Sequence, residues 1–318
     1  MRRISARAHA KINLHLGVGD LREDGYHDLV TVFQSLSLAD TVTLDISAEE
    51  TVASGSIVGA LTVNGLDAAS VPRDAGNLAW RAVDKLVDHY RVQFGLEEAP
   101  RVYINIHKGI PTAGGMAGGS ADAAAALVAT HALLSETYPA LPMGTLLELA
   151  AELGSDVPFT LRGGTMLGTG RGEQLTPMLS RGTYHWALIF FREGLSTPAV
   201  FQELDRLRAE GITSGPSLHT EDLARTLMTG DPEKLAGTLT NDLQLPAIML
   251  RRDVARTLDV GRQAGALAAM VSGSGPTVAF LCDSQLQARD LVDDLLADGS
   301  AYSGATAHGP GKGAHVID

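Results

Sequence analysis

Cysteine is almost missing from this chain: among 318 residues only Cys282 occurs. A single thiol excludes an intrachain disulfide and any metal site built on several cysteines. It stands in Val278-Ala279-Phe280-Leu281-Cys282, a buried-strand pattern, and is read as core. A basic excess is missing too. Lysine and arginine number 25 against 37 aspartate and glutamate, which gives a net charge of −12 and a pI near 5.2. That balance argues against a nucleic-acid or anionic-membrane partner, either of which favours a basic face. It leaves a nucleotide ligand open, because local geometry overrides global charge. No run of about 18 apolar residues occurs, so no membrane span is expected. Met1-Arg2-Arg3 could open a signal peptide, but Arg7, His9 and Lys11 leave no apolar stretch behind it. Neither an internal repeat nor a low-complexity linker is visible. The expectation is a soluble cytoplasmic protein whose 45% hydrophobic and 19% charged content supports a packed core. The length suits two ordinary domains or one large one.

Glycine, by contrast, is concentrated. Residues 111–126 read Pro-Thr-Ala-Gly-Gly-Met-Ala-Gly-Gly-Ser-Ala-Asp-Ala-Ala-Ala-Ala. Gly114, Gly115, Gly118 and Gly119 run into Ser120 and an alanine-rich helix former. Glycine lets backbone N–H groups approach a ligand closely. The helix behind it adds unpaired N–H groups and the positive end of its dipole. Together these make a phosphate cradle. The cradle is neither of the two common designs: the P-loop lysine is missing, and so is G-x-G-x-x-G.

Along the chain, Ile12, Leu14, Leu16 and Val18 alternate with Lys11, Asn13, His15 and Gly17, the pattern of a half-buried strand with a polar face. A polar turn follows at 22–27. Further strands are expected at 29–38, 41–46 and 57–63, the last ending in Asn64-Gly65, a hairpin-type signal. Asn77 is placed to cap a helix over 78–91, and 101–107 alternates again. A helix over 143–153 is stopped by Gly154. Strands at 164–169 and 184–191 precede helices at 198–209, 219–228, 232–239 and 247–263. Two strands, 266–272 and 277–282, flank Ser272-Gly273-Ser274-Gly275-Pro276. A helix at 285–296 and a strand near 301–307 complete the pattern, and 309–313 is read as a flexible tail. The class is α+β in two domains, 1–165 and 166–318, with the substrate cleft between them.

Phosphoryl transfer needs a cradle, a cation for the moving group and a carboxylate near the acceptor hydroxyl. The cradle is 111–120, the cation Lys11 and the carboxylate Asp156. Taken singly, each has a plainer reading. Lys11 could be a solvent-facing strand lysine, Asp156 a helix cap before Val157-Pro158, His15 and His27 structural histidines, and Ser272–Gly275 a turn. The ordered set carries the argument: Ala10-Lys11-Ile12-Asn13-Leu14, Asp24-Gly25-Tyr26-His27, the glycine block, Gly154-Ser155-Asp156-Val157-Pro158-Phe159, and Met270 to Thr277. In this order the chain resembles the GHMP kinase superfamily. The glycine block is similar to its second motif and Val271-Ser272-Gly273-Ser274-Gly275-Pro276 to its third. The other three segments resemble the members that phosphorylate 4-diphosphocytidyl-2-C-methyl-D-erythritol.

The resemblance implies a two-domain GHMP kinase fold, with an N-terminal ribosomal protein S5 domain 2-like part and a C-terminal ferredoxin-like α/β part. It implies ATP and Mg²⁺ as cofactors. It assigns Asp156 as general base or orienting carboxylate and Lys11 as its neighbour, stabilising charge on the transferring group. Asn13 and His27 would position the methylerythritol and cytidine parts, Tyr26 and Phe201 would face the cytosine, and Thr197 would contact substrate. Asn77, Leu78 and Lys108 would lie near the adenine. Pro111, Gly114, Gly115, Met116, Ala117, Gly118, Gly119 and Ser120 would hold the nucleotide, with Ser120 the candidate for the metal. Asp122 is read as a helix N-terminal acid favoured by the dipole. Met116 stands where the family commonly has leucine, Thr112-Ala113 differs from its frequent Met-Gly, and 135–143 looks like an inserted surface loop. The implied partner is a small molecule, a cytidine diphosphate-linked methylerythritol, with no nucleic acid and no membrane, for a monomer or weak homodimer. The alternatives are another GHMP kinase, of homoserine or mevalonate type, and a non-catalytic nucleotide-binding protein on the same scaffold.

Overall fold

The alternation around Lys11 belongs to a strand longer than the segment that reveals it. The computed structural model describes residues 2–112 and 114–317; Met1 of the opening Met1-Arg2-Arg3 and Ala113 of the glycine block lie outside them. The first part of the chain comprises β1 (Arg2–Leu21), β2 (His27–Val52), β3 (Val58–Gly65), α1 (Leu78–Phe94), β4 (Ala99–Lys108), α2 (Gly118–Leu134), α3 (Met143–Leu153), α4 (Val157–Arg162), β5 (Thr165–Thr169) and β6 (Gln174–Pro177). The second comprises β7 (Tyr184–Phe190), α5 (Thr197–Ala209), α6 (Glu221–Leu227), α7 (Pro232–Ala236), β8 (Thr240–Asn241), α8 (Gln244–Leu250), α9 (Arg252–Gln263), β9 (Ala268–Val271), β10 (Val278–Cys282), α10 (Gln285–Ala297), β11 (Ser303–Gly309) and β12 (His315–Ile317).

β1 and β2 pair antiparallel along nearly their whole length and form the spine of the first sheet. Each changes partner part-way. The far edge of β2 pairs with β5 at Thr31–Gln34 and with β4 from Thr41 onward, while β1 pairs with β12 at Ser5–Arg7 and with β8 at His15–Leu16. The expected strands 29–38 and 41–46 are therefore one strand, with a bulge near residues 36–38. The division expected at 165/166 falls inside this sheet, because β5 takes the half of β2 that β4 leaves and β6 extends it through Pro177. Asn64-Gly65 does not close a hairpin. β3 runs parallel to β4, with α1 between them in sequence, as a parallel pair requires. Gly65 is needed for another reason: its φ is +88°, and a Cβ there would meet the Lys108 carbonyl oxygen at 2.3 Å.

α2 lies at the centre of the first part. Its alanines, Ala121 and Ala123–Ala126, are all fully buried. Small side chains all round let the helix pack against β1, β2, α1 and α4 at once. The second sheet is antiparallel, in the order β11-β7-β10-β9. α9 and α10 cover one face through Val254, Leu258, Leu291 and Leu295, while Trp186, Leu188 and Leu281 face the main core. Cys282 lies buried among the former residues, and burial pushes its thiol up to about 11, as suits a core cysteine.

Two further expectations are corrected. The helix read over 247–263 breaks at Arg251, whose backbone is extended (φ −140°, ψ 96°) and whose guanidinium grips Asp253 at 2.6 and 3.0 Å. The segment 309–313, read as a flexible tail, is a strap. Gly311 N–H donates to the Ser35 carbonyl at 2.8 Å, Ser35 Oγ donates back to the Gly311 carbonyl at 2.6 Å, and Gly164 N–H reaches the same carbonyl at 3.0 Å. Ala314 then bonds the last turn of α4 before β12 joins β1. Among the described residues no helix is long and apolar enough to cross a membrane.

Candidate active site

Two cavities meet over the glycine block. The larger, about 750 Å³, holds Lys11, Asn13, Tyr26, His27, Asp156, Thr197 and Phe201 on its walls. The smaller, about 520 Å³, is walled by Asn77, Leu78, Lys108, Pro111 and the run Gly114–Gly119. Gly115 and Ala117 line both. Residues expected to hold an acceptor and residues expected to hold a nucleotide thus fall on opposite sides of one loop. Ser120 is on neither wall; it is half-buried in the first turn of α2, and its carbonyl accepts from Thr160 Oγ1 at 3.0 Å.

On the wall of the larger cavity Lys11 Nζ lies 3.8 Å from Asp156 Oδ2. Strand β1 presents Lys11 from the face read as polar, but that face is buried: Lys11 is 5% and Asn13 2% exposed. Lys11 Nζ donates to Asn13 Oδ1 at 2.8 Å, Asn13 Nδ2 to Thr31 Oγ1 at 2.8 Å, and Thr31 Oγ1 to the His15 carbonyl at 2.8 Å. The chain of bonds fixes the ammonium beneath the cavity. A bulge after Asn13 leaves Leu14 unpaired in the ladder, so the side chains of Asn13 and His15 are not in simple alternation. The Lys11 N–H also donates to the Met116 carbonyl at 3.2 Å, tying the strand to the glycine block. Asp156 stands at the N-cap of α4, yet its carboxylate makes no capping bond. Its oxygens are left facing Lys11 and the cavity. A lysine beside an ionised carboxylate, at the floor of a cavity and next to a helix N-terminus, can hold an alcohol, take its proton and offset charge on an incoming phosphoryl group.

The loop 272–277 supplies the opposite wall. A Cβ on Gly115 (φ +73°) would meet the Ser272 carbonyl oxygen at 2.3 Å, and one on Gly114 would meet Thr277 Oγ1 at 2.6 Å. A Cβ on Gly119 would meet nothing closer than Leu78 Cδ1 at 3.6 Å. The first two glycines therefore admit the second part of the chain, and the last leaves space. Ala117 takes φ +60°, an unusual value for alanine, at the N-cap of α2 with no side-chain cap, so the first N–H groups of the helix stay open to a ligand.

Several polar groups of the smaller cavity are already engaged. Asn77 Oδ1 accepts from Ala79 N–H at 2.8 Å and its Nδ2 donates to the Pro72 carbonyl at 2.7 Å. Thr112 is tied to Ser70 Oγ at 2.9 Å and to Asp67 through its N–H at 3.2 Å. The Lys108 ammonium lies between Asp40 and Asp122, the latter at 2.7 Å, with all three side chains buried. Burial works to lower the Lys108 pKa, but Asp122 and Asp40 outweigh it and the net shift is upward. Burial lifts the Asp122 carboxyl well above the usual carboxylate range; Asp40 adds to this and Lys108 opposes it. Asp122, read as a helix N-terminal acid favoured by the dipole, is a buried partner of Lys108. Asp40 also accepts from the N–H groups of Gly109 and Ile110 at 2.7 and 2.8 Å, which fixes the entry to the glycine block.

In the larger cavity Tyr26 is 54% exposed and Arg171 lies 5.1 Å from its ring centre. His27 is buried, 5.1 Å from the Phe201 ring, with Nε2 2.9 Å from Asp205 Oδ1. Thr197 Oγ1 is 2.9 Å from Ser274 Oγ. Arg171 and Asp205 were not expected from the sequence. Arg171 sits between Gly170 and Gly172 in an ordinary turn signal, and Asp205 is 178 residues from its partner.

Family models match both parts of the chain: GHMP kinases N terminal domain over residues 77–164 and GHMP kinases C terminal over 221–301. A 4-diphosphocytidyl-2-C-methyl-D-erythritol kinase of Corynebacterium efficiens is 53% identical, over 99% of this chain and 98% of its own. The chain belongs to the GHMP kinases, in their 4-diphosphocytidyl-2-C-methyl-D-erythritol kinase family. A second family member, from Nocardia farcinica, is 54% identical over 99% of this chain and 96% of its own. A crystal structure of 4-(cytidine 5'-diphospho)-2C-methyl-D-erythritol kinase is 31% identical, with a TM-score of 0.73 over 96% of this chain and 99% of that one. A homoserine kinase from Cytophaga hutchinsonii, 17% identical with a TM-score of 0.69, shares the fold. The two-domain GHMP kinase architecture expected from the motifs is therefore the architecture of the chain. The N-terminal family model takes in the glycine block and Asp156, while Lys11 lies outside it, and the C-terminal one takes in the loop at 272–276.

Proposed function

We propose that this GHMP kinase transfers the γ-phosphoryl group of ATP to the 2-hydroxyl of 4-diphosphocytidyl-2-C-methyl-D-erythritol, giving the 2-phosphate and ADP, a step of the non-mevalonate route to isoprenoid precursors. One observation carries the reading: the Lys11–Asp156 pair, 3.8 Å apart, lies on the wall of the larger cavity, and Lys11 is bonded to the glycine block that both cavities share. The nucleotide occupies the smaller cavity, with its phosphates on the open N–H groups at the start of α2. The acceptor occupies the larger one, its methylerythritol end toward Asn13 and its cytosine between Tyr26 and Phe201, with His27 beside it. Asp156 receives the proton of the 2-hydroxyl as that oxygen bonds to the γ-phosphorus and the bond to the β-phosphate oxygen breaks in line. Lys11 stabilises charge on the group in transit. Asn77 and Lys108 serve the nucleotide wall through the framework they hold, since their polar atoms are engaged.

The site suits a hard cation that arrives with the nucleotide. Ser120 offers a hydroxyl oxygen at the start of α2, and among the described residues no cluster of three histidine, cysteine or acidic side chains would hold a metal without phosphate ligands. Mg²⁺ arriving with ATP would supply charge neutralisation for the phosphates, with Ser120 the side chain nearest in sequence to the cradle that could hold it. We place the enzyme in the cytoplasm as a monomer or weak homodimer, which sedimentation would test. The reaction is tested by ADP release with Mg-ATP and a panel of acceptors: diphosphocytidyl methylerythritol, methylerythritol phosphate, homoserine, mevalonate and galactose. Turnover with the cytidine compound alone supports the reading. Turnover only with another acceptor removes the cytidine pocket, and silence across the panel with ATP bound removes catalysis.

A further inference from the structure

Helix α5 carries Phe201 and Asp205 one turn apart, so both project from one face. That face meets His27, the first residue of β2. Asp205 Oδ1 lies 2.9 Å from His27 Nε2, and the Phe201 ring braces the imidazole at 5.1 Å. The histidine side chain is 5% exposed, whereas the Asp205 carboxylate is 40% exposed on the wall of the larger cavity. A carboxylate accepts and does not donate, so the hydrogen of this bond resides on Nε2. In the neutral ring Nδ1 is then the acceptor left for other partners. Without Asp205, a neutral imidazole divides its proton between two tautomers and turns more freely about its ring bond.

We propose that Asp205 is a positioning residue for the cytidine end of the substrate, holding His27 in a single tautomer and orientation against Phe201. The inference rests on the reading that Tyr26, His27 and Phe201 receive the cytidine. It adds a residue of the second part of the chain whose contribution passes through a histidine of the first.

The test compares Asp205→Ala, Asp205→Asn and His27→Ala, with KM for each substrate and ¹⁵N shifts of the His27 ring. Removing one partner of this half-buried hydrogen bond should raise the KM for the cytidine substrate about tenfold in Asp205→Ala, with kcat and the KM for ATP within about twofold. Asp205→Asn keeps an acceptor oxygen and should return the KM to within about threefold of the parent. The ring should show the Nε2–H form in the parent and in Asp205→Asn, and a mixture in Asp205→Ala. An unchanged tautomer and cytidine KM in Asp205→Ala overturns the proposal, and so does an equal rise in both KM values, which marks a merely structural contact. If His27→Ala leaves the cytidine KM unmoved, the underlying reading falls. If His27→Ala raises it while Asp205→Ala does not, the reading stands and the role of Asp205 falls.

Discussion

The two cavities on either side of the glycine block are built on opposite principles. In the smaller one, side chains are consumed by the framework: Asn77 caps α1, Thr112 is tied to Asp67 and Ser70, and Lys108 is locked between two buried carboxylates. What remains for a ligand is backbone N–H at the start of α2. In the larger one, Asn13, His27 and Thr197 are held by hydrogen bonds, but two side chains on the wall are left available. Asp156 makes no capping bond, and Tyr26 is more than half exposed. A phosphate is recognised well by fixed backbone dipoles, whereas proton transfer and base recognition need particular side-chain atoms. Substitutions on the nucleotide side should therefore register first in stability, and those on the acceptor side in kinetics.

The sharpest test of that contrast is Asp156→Ala. Turnover should fall by about 10²–10⁴-fold, the usual range for a lost acid–base group. Because the carboxylate does not cap α4, thermal stability should barely move; a large drop in melting temperature with turnover intact would erase the distinction. Next comes Lys108→Met. Leaving Asp40 and Asp122 buried without their cation should cost about 3–5 kcal/mol in a denaturant titration. A wild-type unfolding midpoint combined with weakened ATP binding would instead make Lys108 a ligand-facing residue. Tyr26→Ala should cost about 1–3 kcal/mol of cytidine binding, the range for base stacking, while the KM for ATP stays put. An equal rise in both constants would remove Tyr26 from the pocket.

The smallest effect should be Asp122→Asn, under about 1 kcal/mol, since burial already disfavours the charge that the substitution removes. The sign of its pH dependence follows from the upward shift of its pKa. The contribution of Asp122 to stability is complete below the ordinary carboxylate pKa and is lost as pH rises through the folded value. Stability measured from acid to neutral pH should therefore decline less steeply in Asp122→Asn than in the parent. His15 has the reverse character. Burial lowers its pKa against the opposing bond to Ser217, so its contribution is present above about 6.5 and lost as pH falls through its depressed folded value. Replacing Asp122 should leave that acid-side loss in place.

Much of the site was legible because its parts are local. The glycine block, Lys11-Ile12-Asn13, Tyr26-His27 and Asp156 each lie in a short stretch whose spacing constrains the backbone, and the structure brings them to one cleft. The expectations that failed turn on long-range pairing. Asn64-Gly65 carries a hairpin signal, but β3 finds its parallel partner beyond α1. Residues 309–313 have the composition of a tail, yet their backbone groups bond Ser35 and Gly164. Asp122 has the position of a dipole-favoured acid, and only the burial of α2 turns it toward Lys108. Arg171 and Asp205 carry no local signal, because each matters through a residue far away in sequence.

By itself, then, the sequence determined most of the strands, the alanine-rich helix and the glycine-rich entry to it, since periodicity and glycine spacing act over a few residues. Only the tertiary structure decided which polar groups were spent and which were free. Lysines 11 and 108 are both buried strand cations in the folded chain, and what separates them is the company each finds. Two buried carboxylates claim Lys108, while Lys11 faces one carboxylate across 3.8 Å, at the edge of open space. Burial and pairing are properties of the packed chain, and they set the energy of a charge more strongly than its neighbours in sequence do.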